Sequence, residues 1–171
     1  MSIPDSEAFE SLDRRALDNL AGGLHPDSSI RLQATAQCVA FVLAESKGLG
    51  HGRRRTLMCR RLKHCPLTGA QRRRLVHCIT DRLASGNFSQ QFRDQLRLAI
   101  HLDTRTTYEC AAECLGAPKV YVRRLAAWAI NNIEKRAENG LAGNRPIPTP
   151  PRGPIPLPPA TGNRVHDDQT L

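Results

Sequence analysis

The stretch that decides the fold runs from residue 106 to 133: Thr106-Thr-Tyr108-Glu-Cys110-Ala-Ala-Glu-Cys-Leu115-Gly-Ala-Pro118-Lys-Val-Tyr-Val122-Arg-Arg-Leu-Ala126-Ala-Trp-Ala-Ile130-Asn-Asn-Ile133. Tyr108, Ala111, Ala112 and Leu115 recur every three or four residues, so a helix over 105–116 is expected to turn them inward. Gly116-Ala-Pro118 then supplies a turn. Val122, Leu125, Ala126, Ala129, Ile130 and Ile133 form a second, longer stripe, predicting a helix over 119–138 packed back on the first. The unit is a helical hairpin.

The same period extends toward the N-terminus. Phe88, Phe92, Leu96, Ala99 and Ile100 mark one helix, and Leu75, Val76, Ile79 and Leu83 mark another over 69–85, closed by Ser85-Gly86-Asn87. A short basic helix is expected at 53–64, stopped at Cys65-Pro66. Ahead of it, Gly48-Leu-Gly50-His-Gly52 breaks the chain. The segment 28–46, opened by Asp27 or Ser28, carries two apolar stripes. Ile30, Ala34, Cys38 and Phe41 form one, and Leu32, Ala36, Val39 and Leu43 the other, which makes it the central helix. Phe9, Leu12, Ala16 and Leu20 define a first helix over 5–21. No stretch alternates with period two, so strands are not expected.

Composition agrees with this reading. With 40% hydrophobic and only 4% aromatic residues, the core must be built from Leu, Ala, Ile and Val. Domain organisation follows from the prolines. Residues 140–171 hold eight of the twelve, so a helical domain at 5–139 is expected between a flexible N-terminus at 1–4 and a disordered proline-rich tail. The longest apolar run, Cys38 to Ala44, is far short of a membrane span, and the acidic N-terminal residues do not read as a signal peptide. A cytoplasmic protein is expected, or a nuclear one in a eukaryotic host, with its six cysteines as free thiols.

Two segments share one order: Pro26-Asp-Ser-Ser-Ile30-Arg31-Leu-Gln-Ala34 and Pro118-Lys-Val-Tyr-Val122-Arg123-Arg-Leu-Ala126. Phe92-Arg93-Asp-Gln-Leu96 is a poorer third copy. The pattern resembles the second helix of a HEAT-type repeat, most clearly at residues 105–136. The copies are 62 and 30 residues apart, whereas such repeats recur every 40–47 or so. The fold expected is therefore all-α: an irregular HEAT-like bundle or short solenoid of about seven helices. The resemblance implies a scaffold that binds proteins or, in some families, nucleic acid.

Charge singles out one segment. Residues 47–82 hold eleven cations and a single acid, Asp81, for a net +10, while the other 135 residues sum to −1. Arg53, Arg54, Arg55, Arg60, Arg61, Lys63, Arg72, Arg73 and Arg74 are the candidate contacts to a nucleic acid or other polyanion, by release of condensed counterions. The two short helices that carry them are expected to pack side by side and merge their basic faces. No aromatic lies between 47 and 82, so recognition should be of the phosphate backbone. The plainer reading of these runs is a solvated basic face, or in a eukaryote a nuclear localisation signal.

Other candidates are weaker. Cys59, Cys65, His77 and Cys78 lie close in sequence and could hold zinc, although no CxxC pair anchors them and core cysteine is the simpler expectation. Nearby arginines should lower the pKa of Cys59 or Cys65 if either is exposed, favouring oxidation. Glu109 and Glu113 share a helix face but read as solvent-facing or paired with Arg123 or Arg124, and Gly48-x-Gly50-x-Gly52 matches no phosphate loop. No enzyme activity and no cofactor is expected. In the tail, Arg145, Pro148 and Pro151 fit an arginine-led PxxP ligand. The leading function is non-enzymatic nucleic-acid binding. The alternative is a protein-interaction adaptor that uses the hairpins, an acidic partner for the basic patch and the tail for a peptide-binding groove.

Overall fold

Each segment with helical periodicity folds as helix, and the described residues contain no strand. The structure is a computed structural model that describes residues 7–44, 46–88 and 91–142. Within these residues lie α1 (Glu7–Glu10), α2 (Arg14–Gly22), α3 (Arg31–Ala44), α4 (His51–Leu62), α5 (Gly69–Ser85), α6 (Phe92–Leu102), α7 (Thr104–Cys114) and α8 (Val120–Ala142). Residues 1–4, expected to be flexible, and the expected disordered tail with Arg145, Pro148 and Pro151 lie outside the described residues. Helix α8 runs through Gly140 to Ala142, slightly past the expected domain edge.

The count is eight rather than seven because the first predicted helix is two. Asp13 is extended, and its carboxylate accepts from the Ala16 amide at 2.7 Å, so it ends one helix and caps the next. Helix α5 shows why its bounds were readable. Thr68 and Gln71 form a reciprocal capping box, and Gly86 closes the helix at φ 67°. A Cβ at Gly86 would also stand 2.8 Å from Val122 Cγ2, so α8 needs a glycine there. Asp103 alone links α6 to α7, accepting from the Thr106 amide at 3.0 Å.

Helix α3 is central through its second half, where Cys38, Val39, Phe41, Val42 and Leu43 are buried. Phe41 meets the edge of Phe9 at 5.6 Å and the His51 ring at 5.5 Å. His51 Nε2 donates to the Leu12 carbonyl at 3.2 Å, which leaves Nδ1 to accept from the Ser46 hydroxyl at 2.8 Å. Gly48 carries no side chain because the His51 ring fills the place a Cβ would take.

Two expected faces turn out differently. Leu32 is 75% exposed and Ile30 also faces out, since they lie at the start of α3, ahead of its buried half. Tyr108 and Leu115 are 39% and 45% exposed. Helix α7 instead buries Thr107, Ala111 and Cys114, at i, i+4 and i+7, against α5 and α8. Small side chains at the contact let the backbones approach, and the larger ones are turned to solvent.

One kind of bond recurs throughout. A helix leaves its last carbonyls without an internal partner, and here cationic side chains from neighbouring elements reach them. Arg82, buried, donates to the Val42 and Leu43 carbonyls at the end of α3 at 2.9 and 2.7 Å, and to Gln95 Oε1 at 2.9 Å. Arg61 donates to Ala21 in the last turn of α2 at 2.6 Å. Past α4, His101 donates to the Lys63 carbonyl at 3.0 Å and Arg31 to that of His64 at 2.5 Å. Lys119 does the same for Ser85 at the end of α5, at 2.8 Å. The arginines and Lys119 thereby pair positive charge with the negative end of a helix dipole. Arg82→Leu should strip two buried carbonyls of their donor and lower the unfolding free energy by about 2–4 kcal/mol. Urea denaturation measures this, and an unchanged midpoint would contradict the role assigned to Arg82.

Candidate polyanion-binding surface

The two basic runs do not merge. Helix α4 packs on α2, α3 and α6, whereas α5 packs on α3, α6, α7 and α8, with at most a marginal contact between α4 and α5 themselves. Both helices direct their apolar faces at α3 and α6, which therefore stand between them.

Nor do the candidate arginines share one role. Arg55 is only 2% exposed, donates to the Ser46 carbonyl at 2.7 Å and lies 5.3 Å from the centre of the Phe41 ring. It belongs to the core and cannot reach a phosphate. Arg54 grips Asp18 through Nε and Nη2, both at 2.8 Å. That hydrogen bond is the main reason the Asp18 carboxyl sits below its usual range. Arg61 is committed to α2. Arg53, Arg72 and Arg73 face solvent, Arg72 with a long local bond to the Leu67 carbonyl at 3.5 Å, and Arg74 is half-buried.

The zinc alternative is not supported among the described residues, where no group of three His, Cys, Asp or Glu side chains is placed to hold a metal. Cys59 is buried in α4, Cys65 donates to the Arg61 carbonyl at 3.4 Å, and Cys78 to Leu43 at 3.9 Å. His77 stands exposed beside Asp81 at 3.3 Å. The expected thiol activation also fails for Cys59. Burial pushes its pKa up to about 12, against the pull of Arg55. Glu109 pairs with Arg105 at 2.9 Å rather than with Arg123, which donates to the Ala117 and Pro118 carbonyls.

A different group of cations does converge. Arg60 on α4 and Arg97 on α6 both bond the carboxylate of Asp94, Arg60 at 3.1 and 3.3 Å and Arg97 at 3.1 Å. Burial raises the Asp94 pKa, but the hydrogen bonds from Arg60 and Arg97 outweigh it and hold the carboxyl below its usual range. Arg97 also lies over the Trp128 ring of α8, its guanidinium carbon 5.3 Å from the ring centre, with Arg93 at 5.6 Å. Lys63, at the end of α4, is near enough to Arg136 and Arg97 to feel both. Burial first, and then these two charges, pull its pKa below the ordinary lysine value. Arg60 and Arg97 thus meet at Asp94, Arg93 joins Arg97 at Trp128, and Lys63 and Arg136 lie within electrostatic reach of this group.

Sequence reasoning missed most of this surface. The four-residue spacing of Arg93, Arg97 and His101 was a visible signal of a cationic stripe on α6. Nothing local indicated that Trp128 would lie against it. The chain matches no protein-family model, no curated protein and no solved structure.

Two outcomes test this division of labour. Arg55→Glu should unfold the domain at ambient temperature, while Arg53→Glu should shift stability by no more than about 0.5 kcal/mol. Circular dichroism melts read both, and equal effects would contradict the burial of Arg55. Because the folded-state pKa of Asp94 is depressed, its ion pairs stabilise the fold above the unfolded value of about 3.9. That contribution is lost as pH falls through the folded value. Asp94→Asn should therefore cost about 1–2 kcal/mol at pH 7, with the gap to the native chain closing on acidification. A gap that stays constant down to acid pH would contradict it.

Proposed function

We propose that this chain is a non-enzymatic nucleic-acid-binding protein that contacts the phosphate backbone. One observation carries the reading: Arg60 and Arg97 converge on Asp94, Arg93 lies beside Arg97 at Trp128, and Lys63 and Arg136 stand within electrostatic reach, so cations outnumber the one acid that bonds them. Concentrated like charge opposes folding, and a polyanion relieves it while releasing its own counterions. The surface differs from the basic segment expected at the outset. It keeps Arg60 and Lys63, adds cations from α6 and α8, and leaves Arg53, Arg72 and Arg73 as outlying positive charge.

The second reading, a protein-interaction adaptor, draws on exposed apolar side chains. These are Ile30 just before α3, Leu32 on α3, Tyr108 on α7, Leu115 just past α7, and Val120 and Tyr121 at the start of α8. The HEAT-like resemblance suits either reading. No helix among the described residues is long and apolar enough to cross a membrane.

Fluorescence anisotropy of labelled oligonucleotides across a salt series tests the proposal. With four to six phosphate contacts, log affinity should fall with log salt at a slope of about −4 to −5 on duplex DNA, or about −3 to −4 on a single strand. Combined Lys63→Glu, Arg93→Glu and Arg136→Glu changes should abolish binding in a chain that still melts cooperatively. No binding at low salt, or binding that survives these changes, would overturn the proposal.

A further inference from the structure

We infer that Trp128, with Arg93 and Arg97 laid against it, is a base-stacking platform, and that the nucleic acid bound here is single-stranded. The inference rests on the backbone-binding reading above and specifies its ligand. Trp128 is the chain's single tryptophan and is only half-buried, although this core is poor in large aromatic side chains. It lies on α8 beside the α6 stripe, where Arg93 and Arg97, four residues apart, place their guanidinium groups 5.6 and 5.3 Å from its ring centre. Arg97 is fixed from its other side by Asp94 at 3.1 Å, so the layer is held before any ligand arrives.

Such a layer offers indole and guanidinium groups against which a base can stack. In duplex nucleic acid the base faces are already stacked on one another and unavailable. In a single strand they are open. The adjoining cations Lys63 and Arg136 supply the backbone contacts that track such a strand. Every base has a π-face, so stacking should tolerate any sequence.

Trp128 is its own reporter, since tryptophan emission from the full chain has one source. The experiment titrates the full chain with dT and dA oligomers, their matched duplex, and heparin, a polyanion without bases, using unlabelled strands for emission and end-labelled strands for anisotropy. Emission and oligonucleotide anisotropy are read together. Single strands should quench and shift the Trp128 emission, the duplex should bind less tightly, and heparin should bind without the base-dependent quench. Trp128→Ala should weaken single-strand affinity by about 5- to 150-fold, with less than about twofold effect on heparin. Trp128→Phe, which keeps an aromatic face should the alanine variant fail to fold, should retain most of the affinity. Single-strand binding with unchanged emission, equal quenching by heparin, or preference for the duplex would overturn the stacking platform while leaving backbone binding intact. Failure of every polyanion to bind at low salt would overturn both.

Discussion

The open C-terminal carbonyls of short helices are the constraint on which this structure depends. The eight helices among the described residues leave many such groups, some of them buried, as at Val42 and Leu43. The chain answers with cations. Arg82 reaches the end of α3, Arg61 the last turn of α2, Lys119 the end of α5, and Arg55 the Ser46 carbonyl just past α3. These bonds join elements far apart in sequence, so they set helix against helix as well as satisfying carbonyls. A bundle with few aromatic side chains obtains from arginine both hydrogen bonds and aliphatic packing surface.

That use of arginine changes what the basic composition means. An excess of +10 over residues 47–82 reads as a binding patch when every charge is assumed to reach solvent. Arg55 and Arg82 are buried, Arg54 and Arg60 are paired with acids, and Arg61 is turned to a carbonyl. What stays exposed within the segment is smaller, namely Arg53, Arg72 and Arg73, and further cations lie at the end of α4 and on α6 and α8. There the cations are held by Asp94 and Trp128 and crowd one another. Charge bonded to carbonyls inside the bundle and charge at its surface thus occupy neighbouring positions of the same helix. Arg60 and Arg61 are adjacent in the chain, and one meets Asp94 while the other meets Ala21.

The sequence made the helical class and the α7–α8 hairpin legible, because apolar periodicity and turn residues are local signals. Thr68 and Gly86 bracket α5 closely for the same reason. Asp13 was missed because the stripe from Phe9 to Leu20 continues across it, and only the cap geometry divides the helix. Tyr108 and Leu115 misled because periodicity weighs size, whereas α7 packs through Thr107, Ala111 and Cys114. The site was the least legible part. A guanidinium that bonds a carbonyl leaves no sequence mark, since every residue has a carbonyl. The approach of Trp128 to Arg93 and Arg97 arises only when α6 and α8 pack.

The central claim is that this arginine-rich chain divides its guanidinium groups between helix-end bonding inside the bundle and an accessible surface. Side-chain nitrogen-15 NMR of the free protein, reading proton exchange at each arginine Nε, tests it most directly. Arg54, Arg55 and Arg82 should give resolved, slowly exchanging signals at neutral pH, while Arg53, Arg72, Arg73 and Arg93 should exchange rapidly. Uniformly fast exchange across all these arginines would contradict the account, because the groups said to hold the helices together would then be as wet as those said to be free to bind.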